Sequence, residues 1–261
     1  MTKRNKKKVV DDRKEKKSDK KKGKSMADMI KPKFMEKRKF EVPPVTAKTE
    51  KQKQYLKLLQ DTDCRILIVK GLFGTGKTFL ASCVAGDQLR KGIVEKVIVA
   101  RPYVQTGKTS GFKPGSSLEK LFPYVRNVLD TMSERMGFGA FEVALKDGIS
   151  GSIEVQEVES IRGRSFDEPS FLIIDEAQQT TPEEMESIVT RISDNCTLVL
   201  CGDESQRDIK GKSGLAWFSD FAKRHNLDGI GYIDFDSPDD IVRGGMVREI
   251  AIGLAKDKGQ I

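Results

Sequence analysis

The amino-acid sequence predicts an α/β fold in which helices cover both faces of a parallel sheet. Five short apolar runs, at residues 65–69, 96–100, 171–174, 197–201 and 229–235, are separated by segments of helical length. The second and fourth runs contain Val, Ile and Leu without polar alternation, which is typical of strands buried on both faces. Strands that alternate with helices favour parallel pairing, because each crossover returns the chain to the same edge of the sheet.

The sequence also predicts where several helices begin. Residues 46–60 and 78–90 carry apolar side chains at helical spacing. Thr181 is a cap residue followed by Pro182 at the first helical position, which marks the start of a third helix. By the same pattern, residues 237–243 predict the start of a further helix after the last strand.

The junction between the first strand and its helix carries a glycine-rich loop. The loop has the pattern G-x-x-x-x-G-K-[ST] and comprises Gly71, Leu72, Phe73, Gly74, Thr75, Gly76, Lys77 and Thr78. In such a loop, backbone N–H groups turn inward around a phosphate, and glycines stand where a Cβ is excluded. Lys77 then reaches the β- and γ-phosphates, and the Thr78 hydroxyl binds Mg²⁺. The pattern and its flanking elements predict binding of a nucleoside triphosphate; the alternative is a plain glycine turn.

Two acidic residues, Asp175 and Glu176, follow the apolar run at 171–174. That run predicts a buried strand that delivers the pair to the carboxyl edge of the sheet, where open α/β sheets bind ligands. Hydrolysis of a triphosphate requires a carboxylate for Mg²⁺ and a base for the attacking water. We therefore predict Asp175 as a Mg²⁺ ligand together with Thr78, and Glu176 as the catalytic base. The alternative is an acidic strand end at a helix cap.

Two glutamines are candidates for contacts with the nucleotide. Gln206 follows the strand at 197–201 in a Gly-Asp-x-x-Gln segment, and its amide is predicted to sense the γ-phosphate and water. The alternative for Gln206 is an ordinary turn. Gln52, in the first helix, is predicted to present its amide to adenine, and the alternative is a solvated helix glutamine.

The net charge of +8 is concentrated in a basic N-terminal segment. Residues 1–40 contain 18 Lys/Arg and 6 Asp/Glu, whereas the remaining residues contain 29 and 33. Because few apolar residues precede Met26, we expect residues 1–38 to be a disordered Lys-rich tail and residues 39–261 to form the folded domain. The tail is interpreted as a polyanion-binding arm, and the alternative is a solubilising extension without a specific partner.

The cysteines indicate a reducing compartment. Cys64, Cys83, Cys196 and Cys201 show no C-x-x-C spacing and stand mostly in apolar contexts, which favours buried free thiols over metal binding. The tail lacks the apolar core of a signal peptide, and no run approaches the roughly 18 apolar residues of a membrane span. We therefore expect a cytoplasmic protein without a membrane partner.

Further short motifs run along the folded part of the chain, from about Thr46 to Leu254. They are Arg101-Pro102, Gly111-Phe-x-Pro-Gly115, Pro123-Tyr124, Arg162-Gly163-Arg164, Asp175-Glu-Ala-Gln-Gln-Thr-Thr-Pro-Glu-Glu-Met185, Gly202-Asp203-x-x-Gln206-x-Asp208 and Val242-Arg243. Together with the phosphate loop, these motifs resemble the PhoH family of ATPases, which is related to the core of superfamily I helicases. One departure is Gly244-Gly245, where the family usually has His or Ser followed by Pro. The resemblance implies a RecA-like P-loop NTPase fold with ATP and Mg²⁺ as ligands.

The resemblance also implies a function. We predict a Mg²⁺-dependent ATPase that acts on single-stranded nucleic acid, with RNA favoured over DNA. Besides the tail, Arg101, Arg162 and Arg164 are predicted to contact phosphates of the strand; the alternatives are solvated surface and structural ion pairs. The alternative function is a nucleotide-controlled binding module with very slow turnover, and a third is an ATPase subunit that drives assembly or packaging.

A single RecA-like lobe has no second lobe to place a cation over the γ-phosphate. We therefore predict a closed ring of this chain, a hexamer as in the family, in which Arg243 reaches the site of its neighbour and completes the catalytic set. The alternative is that Arg243 pairs with Asp239 or Asp240 within its own chain.

Overall fold

One parallel sheet forms the centre of the protein. The computed structural model describes residues 41–102, 117–146, 148–161 and 163–259. Its strands are β1 (Ile66–Gly71), β2 (Lys96–Arg101), β3 (Ile153–Glu157), β4 (Ser170–Ile174), β5 (Cys196–Gly202) and β6 (Ile230–Phe235). They lie in the order β3-β2-β4-β5-β1-β6, and every neighbouring pair is parallel. The predicted parallel sheet is confirmed.

Helices cover both faces of this sheet, as predicted. They are α1 (Glu50–Leu59), α2 (Lys77–Arg90), α3 (Ser117–Met136), α4 (Phe138–Leu145), α5 (Val158–Ile161), α6 (Pro182–Val189), α7 (Gly214–Arg224) and α8 (Met246–Asp257). Apolar residues of α1 to α4 share one buried cluster with the sheet, and those of α5 to α7 share a second cluster on the opposite face. Within the described ranges, no helix is both long and apolar enough to cross a bilayer.

The central strands are buried on both faces. In β1, Leu67 and Val69 belong to one apolar cluster, whereas Ile68 between them belongs to the other. All three side chains are fully buried. The strand is a continuous apolar run in the sequence because its side chains point alternately into the two apolar clusters, one on each face of the sheet. The edge strand β6 instead alternates, with exposed Tyr232 between the buried Gly231 and Ile233.

Strand β3 was missing from the sequence-based prediction. Its sequence is Ile-Glu-Val-Gln-Glu, in which polar residues interrupt a short apolar pattern. Glu154 is nevertheless buried, because Lys96 and Arg164 form ion pairs with its carboxylate. Hydrophobic periodicity cannot reveal that a charged residue is buried by ion pairing, because the partners Lys96 and Arg164 lie outside the strand.

The helix predicted to begin at residues 237–243 is wrong. Pro238–Asp240 form a single 3₁₀ turn, Ile241 is extended, and α8 begins at Met246. The Asp240 carboxylate accepts a hydrogen bond from the Ser237 N–H and forms an ion pair with Lys51. The capping pattern is therefore present, but it closes a turn that anchors the end of β6 to α1.

Other expectations concern single positions. The Thr181 cap and Pro182 begin α6, as predicted, and Glu184 completes a capping box with Thr181. The cysteines are buried and free, also as predicted. The expected tail at 1–38, the motif at 111–115 and Arg162 lie outside the described residues.

The last helix packs on the glycine-rich loop that follows β1. Ala251 and Ala255 of α8 form a small buried cluster with Ile241 and with Leu72 of the loop. The small alanine side chains allow close approach of the helix to the loop. The C-terminal part of the described chain thus supports the loop from outside the sheet.

We predict that Gly214→Ala destabilises the fold. A Cβ at this first residue of α7 would lie 2.5 Å from the Thr181 carbonyl oxygen and 2.7 Å from Met185 Cβ. Overpacking of this kind costs about 1–3 kcal/mol, which lowers the melting temperature in a thermal unfolding experiment. Gly253→Ala in α8 is the matched control, because its Cβ meets nothing within 4 Å. The control is expected to be neutral or stabilising by up to about 1 kcal/mol. Equal melting temperatures for both variants would contradict this packing.

Candidate functional site

The carboxyl ends of five strands meet around one cavity. The cavity has a volume of about 570 Å³ and is lined by segments that follow β1, β2, β4, β5 and β6. This size is typical of a site for a nucleotide-sized ligand. Parallel pairing explains the convergence, because it places all carboxyl ends at one edge of the sheet. The site residues predicted within the described ranges line this cavity, except for Gly71, Leu72, Thr75 and Arg164.

The glycine-rich loop has the backbone geometry of a phosphate cradle. Gly71, Gly74 and Gly76 have φ values of +124°, +78° and +84°, which side chains other than glycine rarely adopt. At Gly71 a Cβ would also lie 2.2 Å from the carbonyl oxygen of Phe235 in β6. The Thr75 hydroxyl donates to the Leu72 carbonyl at 2.9 Å and fixes the turn from inside. The loop residues therefore fit a phosphate group surrounded by backbone N–H groups at the start of α2.

Lys77 lies inside the loop. Its ammonium group donates hydrogen bonds to the carbonyl oxygens of Gly71 at 2.7 Å and Leu72 at 2.8 Å. Burial lowers the pKa of Lys77, while Cys201 and the nearby carboxylates oppose that shift. A phosphate beside this ammonium would favour its charged form, since an opposite charge at short range stabilises it.

Thr78 and Asp175 lie together beside the glycine-rich loop. The Thr78 hydroxyl donates to Asp175 Oδ1 at 2.7 Å, which joins the start of α2 to the end of β4. Burial raises the pKa of Asp175, and the bond from Thr78 acts in the opposite direction. A hydroxyl and one carboxylate beside a phosphate cradle fit Mg²⁺, which prefers oxygen ligands and takes phosphate oxygens as the others.

Glu176, the residue after Asp175, has an uncommon backbone conformation. Its φ of +54° is left-handed and lies at the sharp turn out of β4. Gln178 Nε2 donates to Glu176 Oε2 at 2.6 Å, and the Arg101 guanidinium lies 3.4 Å from Glu176 Oε1. Strained residues of this kind concentrate at functional sites, where surrounding contacts hold them.

Gln206 lies in the same cavity, in a 3₁₀ turn after β5. Its Nε2 donates to Asp203 Oδ2 at 2.7 Å, so the amide is oriented by its own segment. The Asp203 N–H in turn donates to Gln178 Oε1 at 3.1 Å. These bonds connect the predicted sensor to the segment that carries Glu176.

Gln52 lines the cavity from α1. Only 3% of it is exposed, so the alternative of a solvated helix glutamine is excluded. Its Nε2 donates to the Thr75 carbonyl at 2.8 Å, and its Oε1 accepts from the Lys48 N–H at 2.7 Å. Gln52 therefore braces the phosphate loop, and a contact with adenine would use its remaining hydrogen-bonding capacity.

Arg243 lies beside its own chain's phosphate loop. Its Cγ is 3.3 Å from the point where a Cβ of Gly74 would stand, and its side chain lines the cavity. The two acidic residues named as alternative partners bind other groups, since Asp239 pairs with Arg248 and Asp240 pairs with Lys51.

The arginines predicted to bind nucleic acid have other contacts here. Arg101 forms ion pairs with Asp175 and Glu176, and Arg164 forms one with Glu154 and lies over the Phe166 ring. The alternative interpretation, structural ion pairs, therefore describes both residues in this structure. The ion pair of Arg101 with Asp175 joins residues 74 positions apart, and Glu176 is the next residue, so no local sequence pattern could reveal either pair.

One wall of the cavity was not predicted. Tyr124, Asn127 and Thr131 of α3 line it. Their spacing of three and four residues places them on one face of the helix, which was the available signal. The sequence argument used Tyr124 only as part of a motif and assigned it no position in the site.

Comparison with known proteins shows the family of this chain. The family model described as "PhoH-like protein" matches residues 44–253. A PhoH-like protein of Bacillus subtilis is 36% identical over 208 residues, which cover 79% of this chain and 62% of the relative. Protein PhoH of Escherichia coli K12 is 32% identical over 197 residues, which cover 75% of this chain and 54% of the relative. The chain thus matches less than two thirds of the length of these relatives.

A solved structure shows a similar fold at low identity. The large terminase of bacteriophage HK97 superposes with a TM-score of 0.51 at 14% identity, covering 84% of this chain and 48% of the terminase. At that identity the similarity concerns the fold alone. The segment that the family model matches contains the site residues described above, from Gln52 to Arg243. The chain belongs to the PhoH-like protein family.

Proposed function

We propose that this protein is a Mg²⁺-dependent ATPase that works with single-stranded nucleic acid, RNA in preference to DNA. The observation that carries the proposal is the hydrogen bond between Thr78 and Asp175, with Glu176 as the next residue. It supports the assignment of Thr78 and Asp175 as a metal-binding pair and of Glu176 as a base beside the phosphate loop. Binding alone would require only the loop, whereas hydrolysis requires these carboxylates as well.

Each residue of the site has a separate task. The loop N–H groups and Lys77 hold the β- and γ-phosphates, and Thr78 with Asp175 holds Mg²⁺. The metal supplies positive charge that stabilises the phosphate oxygens as charge develops. Glu176 accepts a proton from the attacking water at a carboxylate oxygen, and Gln206 orients that water through its amide.

Family membership and the predicted basic tail support the nucleic-acid part of the proposal. A tail with 17 Lys/Arg would neutralise phosphates of any strand regardless of sequence. We also propose a closed ring, a hexamer by analogy with the family, as the working assembly. The buried free thiols fit a reducing compartment, so we propose the cytoplasm as the location.

A second candidate function is a nucleotide-controlled binding module with very slow turnover. One observation favours it: both oxygens of Glu176 already have partners, Gln178 and Arg101. ATPase activity measured with and without a panel of RNA and DNA strands separates the two functions. Phosphate release that increases with single-stranded RNA supports the ATPase, and release that stays negligible in every arm supports the binding module.

Lys77→Ala should weaken ATP binding by about 100-fold, because charge-assisted hydrogen bonds to the phosphates are lost. The measurement is titration with a fluorescent ATP analogue. Lys91→Ala, at the exposed opposite end of α2, is the control and should bind like the unaltered protein. Unchanged affinity of Lys77→Ala would contradict the phosphate-loop assignment.

Glu176→Gln should bind ATP with unchanged affinity and hydrolyse it about 10²–10⁴ times more slowly, since only the base is lost. Phosphate release and analogue binding are measured on the same preparation. Glu186→Gln, on the exposed face of α6, is the matched control. A near-normal rate for Glu176→Gln would assign the base elsewhere.

Arg243→Ala should bind ATP and hydrolyse it slowly. The position of Arg243 beside its own Gly74 supports action within one chain, whereas the ring model has it act on a neighbour. Mixing Arg243→Ala with Lys77→Ala protomers separates these cases. Action within one chain predicts no recovery, because every protomer is defective. Recovery in a mixture shown to co-assemble would establish action across the subunit boundary.

Deletion of residues 1–38 should weaken binding to single-stranded RNA and flatten the dependence of log K on log[salt]. Each phosphate contact that is lost lowers the slope by about 0.7 for single strands. Fluorescence anisotropy over a salt series provides the measurement. An unchanged slope would indicate that the tail makes no phosphate contacts and contributes only to solubility.

A further inference from the structure

Arg101 occupies a central position between the two carboxylates of the site. Its Nη1 lies 3.3 Å from Asp175 Oδ2, and its Nη2 lies 3.4 Å from Glu176 Oε1. The register of β2 and β4 brings these residues together, because Ala100 pairs with Ile174 and the Asp175 N–H donates to the Ala100 carbonyl at 3.0 Å. The Asp175 oxygen that faces Thr78 is the other one, Oδ1, so Arg101 leaves the proposed metal-binding side open.

A second set of contacts holds Arg101 from the side of α3. Its Nη1 also donates to the Tyr124 carbonyl at 3.3 Å, and its guanidinium lies 5.5 Å from the centre of the Tyr124 ring. The Arg101 side chain is 25% exposed, and Tyr124 is 50% exposed. The guanidinium is therefore within reach of a ligand that approaches along α3.

The contact with Arg101 restrains the proposed base. Glu176 Oε1 faces Arg101 and Oε2 accepts from Gln178, so each oxygen has a partner before any water is placed. A guanidinium at Oε1 competes for the lone pairs that would accept a proton from water.

The outer part of the cavity offers chemistry that suits a nucleotide strand. Phe79 and Tyr124 line the cavity and are 53% and 50% exposed, which is unusual for aromatic side chains of this size. Exposed aromatic rings stack on bases of any sequence, and the Asn127 amide beside them can bond base edges. A guanidinium at the same rim fits a phosphate, which it binds in a bidentate manner.

We propose that Arg101 couples nucleic acid to hydrolysis by exchanging partners. In the structure the Arg101 guanidinium occupies Glu176 Oε1 and restrains this carboxylate. When a base of a single-stranded nucleic acid stacks on Tyr124, a phosphate of that strand binds the guanidinium in place of Glu176. The partly exposed ion pairs of Arg101 are weak enough for such an exchange. The inference rests on the proposed ATPase function and deepens it, since it identifies the ligand and the residue through which the ligand acts.

The first test compares ATP hydrolysis by the full chain with and without a single strand of uridines or of thymidines. The unaltered protein should be stimulated by the strand. Arg101→Ala should hydrolyse ATP roughly twofold to fivefold faster than the unaltered protein without a strand, the range that a partly exposed ion pair is worth. Adding the strand should then have little further effect. Arg101→Lys keeps the charge without the bidentate geometry and should fall between the two.

Arg126→Ala is the matched control, because Arg126 is an exposed arginine of α3 whose ion pair with Asp130 lies away from the carboxylates. It should retain the low basal rate and the full stimulation. A lower basal rate in Arg101→Ala with stimulation intact would overturn the proposal and assign Arg101 to support of the fold. Absence of stimulation in the unaltered protein would overturn it as well.

The second test uses Tyr124→Ala and needs no hydrolysis. Anisotropy of a fluorescent uridine strand should show weaker binding by Tyr124→Ala and by Arg101→Ala, and unchanged binding by Arg126→Ala. The affinity of Tyr124→Ala for a fluorescent ATP analogue should stay the same. A loss of nucleotide affinity with strand binding intact would place the adenine on Tyr124 and refute the nucleic-acid site.

The two tests also separate this inference from the function beneath it. No hydrolysis by the unaltered protein in any arm would refute the ATPase, while the anisotropy measurements would still decide whether Arg101 and Tyr124 bind the strand. Hydrolysis that depends on Lys77 and Glu176 but not on Arg101 would retain the ATPase and remove the coupling.

Discussion

The hydrogen bond between Thr78 and Asp175 is the contact on which the site depends. Thr78 follows β1 and Asp175 follows β4, yet β5 lies between these two strands. Both segments must therefore lean over the carboxyl end of β5. Gly202 ends that strand, and a Cβ there would lie 2.5 Å from Leu215 Cδ2 and 2.7 Å from Gln178 Oε1. The missing side chain leaves room for Leu215 of α7 and for Gln178, which follows Asp175 in the same segment.

A network of amide side chains links the segments after β4 and β5. Gln178 binds both the Glu176 carboxylate and the Asp203 N–H, and Gln179 binds the Gln206 carbonyl and the Asp208 carboxylate. Gln178 and Gln179 are both buried, where a lost hydrogen bond is costly. Hydrogen bonds therefore connect the segment of Glu176, the proposed base, to the turn that carries Gln206, the proposed sensor.

Local patterns predicted much of this structure, and long-range pairing explains the rest. The phosphate loop and the Thr181 cap depend on neighbours in sequence, and the sequence revealed both. Strand β3 was missed because its Glu154 looks like an exposed residue in the sequence, whereas ion pairs with Lys96 and Arg164 allow it to be buried. The role of Arg101 depends on the register between β2 and β4, which no local pattern encodes. At residues 237–243 the capping signal is present, but the turn that it caps ends at Asp240 and the chain is extended at Ile241.

The charges of the site are already paired within the chain, so binding a ligand is an exchange of partners. Lys77 binds two loop carbonyls, Asp175 binds Thr78 and Arg101, and Glu176 binds Arg101 and Gln178. Preorganised groups of this kind require little rearrangement when a charged substrate arrives. Arg101 differs from Lys77, since its partners are Asp175 and Glu176, to which we assign metal binding and base catalysis. Under that assignment, a ligand that competes for Arg101 acts on hydrolysis, whereas one that competes for Lys77 acts on nucleotide binding.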